Sequence, residues 1–170
     1  TLPGSRDCKI VAWSGATTQQ LTLRAAVTVD AHYDTSVIAS RRIVILWEVS
    51  NDLNSNNLTD VQCYNNLKTY CQARKLIGWK IVVVTMLPRT TPSNVNFETY
   101  RLSANQMIRD ALAAQETWLD AVADIGGDAT IGATGASTNN TYYNDGVHLR
   151  DAGHAIGKTY VTSAINSITG

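Results

Sequence analysis

Two nearly unbroken apolar runs, residues 42–48 (RIVILWE) and 79–87 (WKIVVVTML), stand out from an otherwise mixed chain. Apolar runs of this length without polar alternation predict strands buried on both faces, as in parallel sheets. Residues 8–13 (CKIVAW) predict a further short strand. Between these runs the spacing of apolar positions changes to three and four. From about Leu58 to Ile77 it brings Val61, Tyr64, Leu67 and Cys71 onto one face, so a helix is expected there, closed by Gly78. Ser14-Gly15-Ala16-Thr17-Thr18 is a small-residue turn whose threonines can cap a helix running to about Asp30. Two more helices are expected over residues 96–115, after a loop with Pro88 and Pro92, and over residues 151–168. Residues 119–125 could prolong the helix before them or form a fourth strand; the Gly126-Gly127 stop favours the strand. The polar segment 51–57 and the Gly/Asn/Thr-rich segment up to Asn144 read as loops.

Strands alternating with helices predict parallel β-α units, an α/β fold with helices on both faces of the sheet. Trp13 and Trp47, as strand residues, are expected in the core. No repeat or low-complexity linker divides the 170 residues, which suit a single domain over 1–170. Composition removes several function classes. Hydrophobic residues make up 44% and charged residues 16%, which is globular rather than disordered. Fourteen basic side chains balance fourteen acidic ones without a Lys/Arg cluster, so neither a nucleic acid nor an anionic membrane is an expected partner. No apolar run has the length of a membrane span. Cys8, Cys63 and Cys71 match no zinc spacing. On one helix, Cys63 and Cys71 would lie about 12 Å apart along the axis, too far to bridge. The redox compartment stays open.

In a parallel sheet the working site lies beyond the carboxyl ends of the strands. Three loops are expected at such ends: residues 14–18, residues 49–57 and the approach to His148. The last reads Tyr142-Tyr143-Asn144-Asp145-Gly146-Val147-His148-Leu149. An acid three residues before a histidine, with glycine between, can fold its carboxylate onto one imidazole nitrogen. That fixes the tautomer and leaves the other nitrogen able to take a proton from a nucleophile. Asn51 carries an amide that could donate to an oxyanion, or could cap its own backbone as a turn residue. Gly15 could let a backbone N–H approach a substrate, or could serve only as a strand-to-helix turn.

Taken together, Ser14-Gly15-Ala16-Thr17-Thr18, Ser50-Asn51-Asp52 behind an apolar strand, and Asp145-Gly146-Val147-His148 resemble the SGNH hydrolases, the GDSL esterase/lipase superfamily. The likeness spans nearly the whole sequence. It implies a flavodoxin-like three-layer α/β/α fold, an oxyanion hole from the Gly15 N–H and the Asn51 side chain, His148 as general base and Asp145 as its orienter. It also implies hydrolysis of short acyl esters, often acetyl groups on sugars, without metal or other cofactor. Two positions depart from the family pattern. Val49 stands where the family has glycine, and a β-branched residue resists positive φ, so a differently shaped loop is expected around Asn51. The family's Gly-Asp-Ser nucleophile block is absent from these residues. Neither Ser5 nor Ser14 is expected to attack, since Ser5 has too little chain around it and Ser14 adjoins the oxyanion glycine. The first expectation is therefore an ester hydrolase whose first strand and nucleophile are supplied by a segment or second chain outside these 170 residues. The alternative is a non-catalytic binding or scaffold domain on the same fold. His154 and His32 are expected to be structural or exposed, and Glu48 to satisfy neighbouring donors.

Overall fold

A computed structural model describes residues 8–47 and 49–169. Three strands form a parallel sheet: β1 (Ile43–Leu46), β2 (Lys80–Val84) and β3 (Ala121–Ala123), in the order β1-β2-β3. Their register pairs Ile45 with Val82 and Val83 with Val122. Central β2 shows why the apolar run is continuous. Ile81 and Val83 enter one buried cluster, whereas Val82 and Val84 enter a second on the opposite face.

The first cluster is roofed by α1 (Thr18–Thr28), α3 (Asp60–Ile77) and α4 (Phe97–Ala113), through Ala25, Leu67, Cys71, Ala104 and Ile108. The second is closed by α5 (Asp151–Thr169), which packs along β3 and β2 and contributes Ala164. The result is three layers, helices on both faces of a parallel sheet, as the alternation of periods predicts. Helix α3 begins at Thr59, whose hydroxyl accepts the Gln62 N–H at 3.3 Å while Gln62 Oε1 accepts the Thr59 N–H at 2.9 Å. It ends at Gly78, in the left-handed conformation. Residues 119–125 hold the short strand β3 (Ala121–Ala123) rather than prolonging α4.

Four expectations need correction. Residues 8–13 form no strand; they lie exposed at the surface, with Ile10 86% exposed. A strand is defined by its neighbour, and the edge of β1 facing away from β2 has no strand partner among the described residues. For the same reason β1 is not buried on both faces: Val44 and Leu46 are buried, but Ile45 is 42% exposed. Trp13 and Trp47 are therefore surface residues rather than core, with the Arg24 guanidinium 3.6 Å from the Trp13 ring centroid. Finally, the supposed loop 51–57 contains the short helix α2 (Ser50–Ser55). Its polar sequence hides one anchor, Leu53, which is fully buried. No helix among the described residues is long and apolar enough to cross a membrane.

Candidate active site

The loop between β3 and α5 builds one half of the site. Its base is pinned by the Tyr143–Leu149 antiparallel bridge, by the Asn144 N–H donating to His148 O at 2.8 Å, and by the buried Tyr143 hydroxyl donating to Ile131 O at 2.5 Å. Gly146 takes φ +78° at the tip, and a Cβ there would lie 2.6 Å from Thr90 Oγ1, so glycine is required on both counts. Within this frame Asp145 Oδ1 accepts the N–H groups of Val147 at 3.0 Å and His148 at 2.8 Å. Its Oδ2 meets His148 Nδ1 at 2.7 Å. The His148 amide first, then the His148 ring and the Val147 amide, hold the Asp145 carboxyl well below the usual carboxylate range. An ionised Asp145 makes Nδ1 the protonated ring nitrogen, so Nε2 is left as the acceptor. The His148 side chain is 77% exposed.

The second half joins the start of α1 to α2. The Ala16 N–H donates to Trp13 O at 3.2 Å, closing a turn in which Gly15 has φ +70°. Nothing lies within 4 Å of where a Gly15 Cβ would stand, so this backbone faces open space. Asn51 Nδ2 donates to Ala16 O at 2.9 Å, and the Thr18 N–H donates to Asp52 Oδ1 at 2.8 Å. Two consecutive side chains of α2 thus grip the Gly15 turn at two points. Asp52 is fully buried, and this burial pushes its carboxyl upward against the pull of the Thr18 amide. Val49, just before α2, is also buried and takes φ +132°. Valine adopts the positive φ itself here, a strain on the order of 1–3 kcal/mol.

A segment overlooked in the sequence connects the halves. After β2, the Thr90 N–H donates to Gly146 O at 2.8 Å and Thr90 Oγ1 bonds Ser137 Oγ at 3.0 Å. Three and four residues on, the Ser93 N–H donates to Asn54 Oδ1 at 2.8 Å and buried Asn94 Nδ2 donates to Leu53 O at 2.9 Å. The only signal for it in the sequence is position: residues 88–96 follow the central strand, at the same sheet end as the other loops.

Gly15 and Asn51 are thus brought together, as are Asp145 and His148, and residues 88–96 bridge the pairs. His154, on α5, and His32 are exposed. Ser14 is an exposed residue of the Gly15 turn. Ser5 and Glu48 lie outside the described residues. A shallow basin of about 490 Å³ borders His148, lined by Thr141, Asn144, Arg150 and Asp151 among others. Among the described residues no three His, Cys, Asp or Glu side chains gather as metal ligands.

The family model of GDSL-like lipases and acylhydrolases matches residues 3–156. No curated protein matches the sequence. Among solved structures, a candidate acylhydrolase from Bacteroides fragilis superposes with TM-score 0.73 at 20% identity, over 92% of this chain and 73% of that one. A GDSL-like lipase from Bacteroides thetaiotaomicron gives TM-score 0.67 at 19% identity, covering 90% of this chain and 72% of that one. TesA gives 0.60 at 18% identity, over 91% of this chain and 75% of that one. At such identities the likeness establishes the fold.

Proposed function

The chain belongs to the GDSL-like lipase/acylhydrolase family of SGNH hydrolases, and we propose that it is a serine hydrolase of short acyl esters with Asp145 and His148 as its orienter and base. Ester hydrolysis is the chemistry of the family; the finer assignment rests on one observation, the Asp145–His148 pair joined through Nδ1 on a largely exposed ring. In this reading Nε2 takes the proton of a serine hydroxyl as it attacks the acyl carbonyl. The Gly15 N–H and the Asn51 amide receive the developing oxyanion, and His148 then returns the proton to the departing alkoxide. Water repeats the cycle on the acyl-enzyme. Asp145 stays ionised throughout and stabilises the imidazolium.

The basin beside His148 supports a small, polar substrate. Thr141, Asn144, Arg150 and Asp151 offer donors and acceptors suited to a hydroxylated alcohol such as a sugar, and little wall for a long acyl chain. The attacking serine is assigned to neither Ser5 nor Ser14. We place it on a strand, supplied by a segment or second chain, that pairs with the edge of β1 lacking a strand neighbour among the described residues, because Ile45 and Trp47 on β1 and just after it are exposed. Treating the native protein with a serine-directed fluorophosphonate and mapping the labelled peptide tests this. A label on a serine outside residues 1–170 is expected. A label on Ser5 or Ser14 overturns the placement, and no label on any well-folded preparation that also fails to hydrolyse aryl acetates favours the non-catalytic scaffold.

A further inference from the structure

Asp145 and His148 are fixed to each other by bonds inside four residues, and Asn51 is fixed to Ala16, but neither set fixes one half of the site against the other. Acyl transfer needs that relation, because base and oxyanion donors must address a single carbonyl, and a displacement of about 1 Å can cost on the order of 10²-fold in rate. Helix α2 is only six residues long, too short to hold its own place. The histidine loop is largely exposed.

We infer that Thr90 and Asn94 are positioning residues that hold the His148 loop and the Asn51 helix in a common register. Thr90 grips the histidine loop twice, with its N–H on Gly146 O and its hydroxyl on Ser137, and its side chain occupies the space that the missing Gly146 Cβ leaves. Asn94 grips α2 through Leu53 O, two residues beyond Asn51, and its own Oδ1 accepts the Asn96 N–H at 2.9 Å. Between them Thr91 sits at φ +48°, a backbone state that β-branched residues rarely adopt. This short connection therefore has little slack: moving either end moves the other. The device follows the central strand β2, whose fully buried Val82, Val83 and Val84 tie it to the buried centre of the sheet.

The inference builds on the hydrolase reading, so its test has an arm that does not depend on turnover. In the native protein, the His148 ring nitrogens and the Asn51 side-chain amide are followed by ¹⁵N NMR in Asn94→Ala, Thr90→Val and Thr90→Ser. Asn94→Ala, made on the α2 side, is expected to shift the His148 ring signals, and Thr90→Val, made on the histidine side, to shift the Asn51 amide; Thr90→Ser should leave both near their native values. Shifts confined to the half that was altered overturn the inference, whether or not the protein hydrolyses esters. Where aryl acetate is hydrolysed, Asn94→Ala and Thr90→Val should lower kcat about 10–100-fold with KM changed less than about threefold, and Thr90→Ser should recover kcat. Native kcat in Thr90→Val also overturns it. If buried Asn94→Ala does not fold, half-buried Thr90 decides the question alone. A native protein without hydrolysis, but with shifts crossing between the halves, would refute the hydrolase reading and keep the register.

Discussion

The two halves of the site are built in opposite ways. The histidine half is local: Asp145 accepts from Val147 and His148 and meets the ring, all within four residues and on an exposed loop. The oxyanion half is assembled from distant parts, with Asn51 reaching back 35 residues to Ala16 and Asp52 reaching 34 residues to Thr18, the latter carboxyl fully buried. A local constellation survives any modest change in the surrounding fold, whereas a long-range one exists only while the whole fold holds it. Substitutions should therefore separate activity from stability in one half and couple them in the other.

The largest effect is expected at His148. His148→Ala should reduce hydrolysis of an aryl acetate by about 10⁴-fold through loss of the base, while the unfolding midpoint stays close to native because the ring is exposed. His154→Ala, on α5, should retain most of the activity. Equal losses from the two histidines would end the assignment. Asn51→Ala comes next, with kcat down about 10²–10³-fold from the lost oxyanion donor. Here the bond to Ala16 goes as well, so stability should fall by about 1 kcal/mol. A variant with normal kcat and altered KM would mean that Asn51 only shapes its turn.

Asp52 separates the halves more finely. Asp52→Ala leaves the Thr18 N–H at the start of α1 without its buried acceptor, at a cost of about 1–3 kcal/mol. Asp52→Asn keeps an acceptor oxygen and removes a carboxyl whose burial is unfavourable, so it should lose much less. Urea unfolding of the two variants makes the comparison. An Asn substitution as damaging as alanine would show that the charge, rather than the acceptor, holds the turn.

The same contrast explains what could be read from the sequence. Asp145 and His148 were legible because three residues of spacing and one glycine contain their geometry. Strand β2 and helices α3, α4 and α5 were legible because period and length report burial directly. What depended on partners was not. Residues 8–13 have strand composition, but no described strand lies beside β1 to make them one, and Trp13 and Trp47 are exposed with them. Helix α2 is polar except for Leu53, so its pattern carries no period. Val49 takes a backbone angle its own chemistry disfavours because its side chain is buried. Thr90 and Asn94 are ordinary loop residues by composition, and only the folded chain brings them to Gly146, Ser137 and Leu53.

The smallest expected effect tests whether the histidine half is as self-contained as its bonds suggest. Asp145 has its carboxyl depressed from an ordinary value of 3.8 by two amides and the His148 ring. A group with a lowered folded-state pKa adds stability that is fully present above its unfolded-state pKa and fades as the pH falls through that value toward the folded one. The stability gap between the native protein and Asp145→Asn should therefore be constant from pH 7 down to about 5 and should shrink below about pH 4. Because this carboxylate faces solvent, the gap should be small and should narrow further as salt is added. Urea unfolding at pH 7, 5 and 3, each at low and high ionic strength, gives the comparison. A gap that widened toward pH 3 would have the wrong sign for an ionised Asp145, and would place the proton of the pair on the carboxyl rather than on His148 Nδ1.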